Sequence, residues 1–201
     1  MLPNIPQDVT AVILAGGMGR RMGGQDKGQI KINDRTLIQY VIEAIRPQVN
    51  TILINANRNH DLYSQFGYPV LSDQLADFQG PLAGFSAGMQ AATTSHIVTV
   101  PCDGPMLAPD LVKRLQQALR ETDATIAVAH DGHRLQPVYA LLPVDLLTSL
   151  TIFLENGQRK IDQWYAEHTM ALADFSDTSH TFVNINTPDD RHRLEEKGLY
   201  T

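Results

Sequence analysis

The stretch Thr10 to Lys27 reads TAVILAGGMGRRMGGQDK, and the fold follows from it. Ala11-Val12-Ile13-Leu14 is a short continuous apolar run, the pattern of a strand buried on both faces in a parallel sheet. It ends at Ala15-Gly16-Gly17, and Gly19, Gly23, Gly24 and Gly28 follow closely. Glycines beyond a strand's C-terminal end leave no Cβ between backbone N–H groups and a bound anion. Arg20, Arg21 and Lys27 sit in the same loop with a single acid, Asp26. A strand that feeds an N–H-rich, cationic loop is suited to hold phosphates.

Two familiar phosphate loops are excluded. A P-loop ends in Gly-Lys-Ser/Thr so that the hydroxyl can meet Mg²⁺, whereas Lys27 stands between Asp26 and Gly28. The dinucleotide fingerprint G-x-G-x-x-G can begin at Gly17-Met18-Gly19, but its last position is Met22, too large for close helix packing. The acidic ribose ligand expected after the second strand is replaced by Asn55. A nicotinamide dinucleotide is not the ligand.

Leu14-Ala15-Gly16-Gly17, Arg21-Met22-Gly23 and Asp26-Lys27 instead resemble the opening of the molybdenum cofactor guanylyltransferases. Asn55-Ala56-Asn57-Arg58, Ser72-Asp73, Gly80-Pro81-Leu82-Ala83-Gly84, Pro101-Cys102-Asp103 and Asn184-Ile185-Asn186-Thr187-Pro188 resemble later motifs of that family in the same order. The resemblance implies an α/β, Rossmann-like, three-layer nucleotidyltransferase fold with a mostly parallel central sheet. It implies transfer of GMP from GTP to the terminal phosphate of molybdenum-bound molybdopterin, with release of pyrophosphate. Other cofactor-assembly proteins and apo-molybdoenzymes would then be partners. A related nucleotidyltransferase using CTP or a sugar or polyol phosphate is the alternative enzyme. A nucleotide-binding module without turnover is the alternative outside enzymes, and the presence of both Lys27 and Asp103 speaks against it, since simple binding does not demand both a leaving-group cation and a metal ligand.

At 201 residues the chain suits one domain, 1–201, able to bury roughly 70% of its unfolded surface. On the family resemblance, its N-terminal half takes GTP and its C-terminal half molybdopterin. A net charge of −6 argues against a general nucleic-acid surface, which needs a basic field. Cys102 is the single cysteine, so no internal disulfide forms. Met1 to Pro6 shows neither a basic region nor an apolar one, and no apolar run reaches bilayer length. The expected location is the cytoplasm, away from membranes.

Further along, Ile30 to Asn33 reads as a brief strand turning at Asn33-Asp34, and Thr36 opens a helix that Pro47 stops. Strands are predicted over Thr51–Ala56, Tyr68–Leu71, His96–Val100, Ala124–Ala129, Pro137–Leu142, Met170–Ala173 and Phe182–Ile185. Helices are predicted from Gly80-Pro81, from Ala108-Pro109 through Leu119, over Val144–Leu154 and Lys160–Glu167, and from Thr187-Pro188.

The resemblance also implies site residues. Backbone N–H groups around Leu14, Ala15, Gly16 and Gly17 would hold the triphosphate, with Lys27 and Arg21 offsetting charge on the leaving pyrophosphate. Asp103 would hold Mg²⁺, which prefers a carboxylate with waters and phosphates. Asn55 and Asp73 match GTP-contacting positions, Asp73 suiting either the paired guanine donors or the ribose hydroxyls. Asn184, Asn186, Arg159 and Lys160 match positions near the pterin, where amides read edges and cations meet phosphate. Cys102 has no His and acid partners at nucleophile spacing and reads as a small buried hydrophobe. His130 and His133 flank the Asp131-Gly132 turn and read as solvated.

Overall fold

The computed structural model describes residues 8–15, 26–73, 80–185, 187, 189–190 and 192. The opening apolar run is β1 (Val9–Leu14), with Ala11, Val12 and Ile13 fully buried. The hairpin β2 (Lys31–Ile32) and β3 (Arg35–Thr36) stands outside the main sheet. Its turn residues Asn33 and Asp34 have φ of 47° and 63°, the left-handed pair that matches the twist of a two-residue hairpin. Helix α1 (Leu37–Ile45) follows, and Gln39 Oε1 accepts the Thr36 N–H at 2.7 Å, as in a capping box.

The chain continues through β4 (Thr51–Asn55), α2 (His60–Ser64), β5 (Val70–Leu71), α3 (Pro81–Ala91), β6 (His96–Pro101) and α4 (Leu111–Thr122). Then come β7 (Ile126–His130), β8 (Leu135–Pro143), α5 (Leu147–Glu155), α6 (Ile161–Tyr165) and β9 (Met170–Asp174). Seven strands form one sheet in the order β5-β4-β1-β6-β8-β7-β9. β8 is antiparallel to both neighbours, and the remaining pairings are parallel. Alternate β1 side chains serve opposite faces, as strand geometry requires. Ala11 and Ile13 meet α1 and α4 through residues such as Val41, Ile45, Leu111 and Leu115. Val12 meets α3, α5 and α6 through Leu82, Phe85, Leu150, Phe153 and Trp164. Helices therefore cover both faces, giving three layers.

After β1 the chain builds outward through β4 and β5, then crosses to place β6 on the other side of β1. That reversal leaves a crevice at the C-terminal ends of β1 and β6, where open α/β sheets bind ligands. α3 presses close to its floor. A Cβ on Gly84 would lie 2.6 Å from Leu14 Cδ2, and one on Gly88 2.4 Å from Val12 Cγ2. The helix thus runs antiparallel to β1 and starts at the crevice.

Two expectations are corrected. Phe182–Ile185 is not a strand: a 3-10 segment covers Ser176–Phe182 and Val183–Ile185 is irregular. Phe182 is buried against Phe175 and Tyr139, and the Ile185 N–H donates to the Asp103 carbonyl at 2.9 Å. Packing and one loop contact, not sheet pairing, account for these apolar residues. Helix α4 starts at Leu111, later than Ala108-Pro109, because buried Gln48 takes over its first turn. Gln48 Oε1 accepts the Val112 N–H at 3.1 Å, while its Nε2 donates to the Ala108 carbonyl at 2.9 Å. Thr187 and Asp190 cap each other reciprocally, as the predicted helix start requires. No helix among the described residues is long and apolar enough to cross a membrane.

The β7–β8 turn hangs on Asp131. Backbone N–H groups of Arg134 and His133 and the Gln136 side chain hold its carboxyl at about 2, below the ordinary 3.8. This contribution is fully present above the ordinary value and fades as pH falls toward the lowered one. Asp131→Ala is accordingly expected to melt at a lower temperature than the parent at pH 7. Its melting point should also fall less steeply between about pH 4 and about pH 2, as thermal scans across that range would show. Gly88→Ala is expected to destabilise the protein by about 1–3 kcal/mol through overpacking. Denaturant unfolding should find that adding Val12→Ala costs less than the two separate losses summed.

Candidate active site

Lys27 opens a 3-10 turn (Lys27–Gln29) whose N-cap is Asp26. Its ammonium crosses the crevice to the carboxylate of Asp103, Nζ to Oδ2, at 2.9 Å. Asp103 lies just past the end of β6 and is 7% exposed. Its backbone is fixed from two sides: the preceding residue's N–H donates to the Leu14 carbonyl at 3.1 Å, and its own carbonyl accepts from Ile185. The acid is thus held just past the end of β6, and the cation reaches it from the 3-10 turn at Lys27. Burying such a pair carries a desolvation penalty, so removing either partner strands the other charge.

Cys102 is buried beneath this pair. Burial, then the neighbouring Asp103 and Asp26, push its thiol well above the ordinary range, so it is not a ready nucleophile. Burial likewise keeps the phenols of Tyr63 and Tyr139 protonated, as hydrogen-bond donors.

Asn55 and Asp73 meet at the ends of β4 and β5. Asn55 Nδ2 donates to Asp73 Oδ1 at 2.9 Å, and Asn57 Nδ2 to Oδ2 at 2.7 Å. Asn57 Oδ1 returns the contact by accepting the Asp73 N–H at 2.8 Å. Asn55 itself lies against α3, for a Cβ on Gly84 would stand 2.5 Å from its Oδ1. Leu14 and Ala15 join the same floor, the Ala15 N–H donating to the Asn55 carbonyl at 2.7 Å.

Asn184 reaches the opposite wall. The Tyr139 hydroxyl donates to its Oδ1 at 3.3 Å, and a Cβ on Gly104 would lie 3.2 Å from that same oxygen. Asn184 therefore adjoins the Asp103-Gly104 turn. Arg159 is differently engaged: its Nη1 donates to the carbonyls of Leu154 and Gln158 at 3.0 and 2.7 Å, closing the end of α5. Its backbone carbonyl lies near Gly80, at the start of α3. Lys160 is exposed at the N-cap of α6. Gly16, Gly17, Arg21 and Asn186 lie outside the described residues.

The structure thus brings Lys27, Asp103 and Asn184 together, and Asn55 with Asp73 on the neighbouring strand ends. It places Asn57, from the Asn55-to-Arg58 motif, beside Asp73, and it adds two residues that the sequence did not single out, Asn59 and Tyr63 beside Asp26. Alternating amides at 55, 57 and 59 were the available signal. A divalent ion fits this donor set. Asp103 offers hard carboxylate oxygens, the donor type that such a hard cation takes beside water and phosphate.

Comparison with known proteins agrees with this geometry. Residues 11–171 match the profile of the MobA-like NTP transferase domain. The molybdenum cofactor guanylyltransferase of Shewanella sp. (strain MR-4) is 53% identical over 186 residues, covering 92% of this chain and 94% of that protein. That of Shewanella loihica is 50% identical over 188 residues, 94% and 96% of the two chains. Among solved structures, molybdopterin-guanine dinucleotide biosynthesis protein A from Archaeoglobus fulgidus superposes with a TM-score of 0.78 at 22% identity, covering 94% of this chain and 97% of its own. A 4-diphosphocytidyl-2C-methyl-D-erythritol synthase from Anaerococcus prevotii gives 0.75 at 10% identity, covering 95% and 96%, and so shares the fold. Identity of about half over nearly the full length separates this chain from such cytidylyl enzymes: it is a nucleotidyltransferase and belongs to the molybdenum cofactor guanylyltransferase family.

Proposed function

We propose that the chain, as one domain, transfers GMP from GTP to the terminal phosphate of molybdenum-bound molybdopterin. An acceptor phosphate oxygen attacks the α-phosphorus of GTP, the bond from that phosphorus to the bridging oxygen breaks, and pyrophosphate leaves with the electron pair. The observation that carries this reading is the Lys27–Asp103 pair in the crevice at the strand-order reversal. Phosphoryl-type transfer needs positioning and charge neutralisation more than covalent chemistry, and the crevice offers both.

In this reading the free protein stores the cation and the acid on each other. When nucleotide enters, Lys27 turns to the phosphates, where it offsets charge developing on the departing pyrophosphate. Asp103 is released to hold Mg²⁺, which when bound supplies further neutralisation of the triphosphate. Backbone N–H groups at Leu14 to Gly17, with Arg21, complete the phosphate cradle, and the N–H-rich start of α3 faces the same space. Asn55 and Asp73 bind the nucleoside. Asn184 and Asn186 face the pterin, with Lys160 meeting its phosphate, so that the C-terminal half serves the acceptor. Arg159 contributes through backbone placement near Gly80, since its guanidinium already holds the end of α5.

Asp103→Asn is expected to keep its fold by circular dichroism while pyrophosphate release falls by about a hundredfold or more. Release at the parent rate would remove Asp103 from the machinery. Asp73→Ala is expected to weaken GTP binding by about tenfold or more, as the loss of hydrogen bonds to a charged group implies. Calorimetry with GTP, ITP and 2′-deoxy-GTP assigns its role. If the carboxylate reads the base, the variant loses preference for GTP over ITP; if it reads the sugar, it loses preference over the deoxy form.

A further inference from the structure

Asp26, the one acid of the opening loop, is half-buried and held by three hydrogen bonds. Its Oδ1 accepts the Tyr63 hydroxyl at 2.5 Å and the Gly28 N–H at 3.3 Å, and its Oδ2 accepts Asn59 Nδ2 at 2.8 Å. Two of these three donors come from the segment beyond β4, more than thirty residues away in the chain. Tyr63 is fully buried and lies directly under the turn. A Cβ on Gly28 would stand 2.6 Å from its hydroxyl oxygen and 3.4 Å from Cys102 Sγ. Lys27 is therefore bracketed, with Asp26 before it and Gly28 after it both seated on Tyr63, and Gly28 also touching the residue that precedes Asp103.

Asn59 is built for this contact. It is a non-glycine residue at φ 55°, in the left-handed region, and its carbonyl accepts the N–H groups of Leu62 and Tyr63 as α2 begins. Such a conformation persists where the surroundings impose it. The next residue, His60, pairs through Nε2 with Ser72 Oγ at 3.1 Å, beside Asp73. Amides at 55, 57 and 59 thus each donate to a carboxylate, the first two to Asp73 and the third to Asp26.

We propose that Asn59 and Tyr63 are positioning residues for the transfer reaction: through Asp26 they set the Lys27 ammonium opposite Asp103. The proposal rests on the reading of Lys27 given above. Neither side chain touches the reacting atoms in that reading, and their effect passes through the turn. Because Lys27 acts on charge that grows toward the transition state, misplacing it lowers kcat more than it raises KM for GTP.

The test measures kcat and KM by pyrophosphate release, with GTP, Mg²⁺ and molybdopterin, for Asn59→Gly, Asn59→Asp and Tyr63→Phe. Each is made alone and together with Lys27→Met. Glycine at 59 keeps the left-handed backbone and removes only the amide, whereas aspartate sets a carboxylate against Asp26. Asn59→Gly and Tyr63→Phe should lower kcat by about tenfold, and Asn59→Asp by about a hundredfold, with KM for GTP within about threefold of the parent. None should slow the Lys27→Met protein further. Parent-like rates for both Asn59 variants beside a slow Lys27→Met protein overturn the proposal and leave the role of Lys27 standing. Losses that repeat in full on top of Lys27→Met also overturn it, since they mark a general structural effect. An Lys27→Met protein as fast as the parent overturns the role of Lys27 and this proposal with it. Should Tyr63→Phe fail to fold, the exposed Asn59 pair decides.

Discussion

Lys27, on its 3-10 turn, and Asp103, just past β6, hold each other 2.9 Å apart, and the architecture around them keeps them there. Taking a carboxylate to 7% exposure is unfavourable unless a partner charge is fixed beside it. The fold fixes both. β1 and β6 pair in parallel register up to Leu14 and Pro101, so the loops that follow them start side by side. Beneath them α3 packs tightly on the sheet, because Gly84 and Gly88 leave room for the side chains of Leu14, Asn55 and Val12 against the helix backbone. A buried ion pair is weak evidence for stability. Its position at the strand-order reversal is the ground for the role proposed above, in which two charges are held ready for a polyphosphate and its counter-ion.

The helices and the hydrophobic layers were legible because burial imposes periodicity. The apolar run at 11–14, the Gly80-Pro81 start of α3 and the helix opening at Thr36 each express a local rule, and each has its counterpart in the structure. The Asn33-Asp34 turn was legible for the same reason, since both residues tolerate the left-handed backbone that a tight hairpin demands. What escaped was non-local. Nothing near Val112 announces that Gln48 completes its helix, and nothing near Phe182 announces that its apolar neighbours pack without pairing.

The candidate site divides along the same line. Lys27, Asp103, Asn55 and Asp73 were legible through the motifs that resemble the family's, since position after a strand would by itself leave Asp103 an ordinary turn acid. Arg159 shows the limit of reading charge from sequence: a cation that suits a phosphate equally suits the carbonyls at a helix terminus, and its Nη1 takes the latter. Asn59 and Tyr63 were invisible because their partner, Asp26, lies on another loop and looks like an ordinary surface acid.

Asp103 also bears on how the enzyme moves. Its carboxylate faces the nucleotide loop through Lys27, while its carbonyl receives the Ile185 N–H from the far end of the chain. Both walls of the crevice are therefore anchored on one residue and one continuous sheet. Among the described residues a clamshell closure about a hinge, the usual way to shut water out between two lobes, has no seam to follow: relative movement of the two walls is restrained at Asp103 itself.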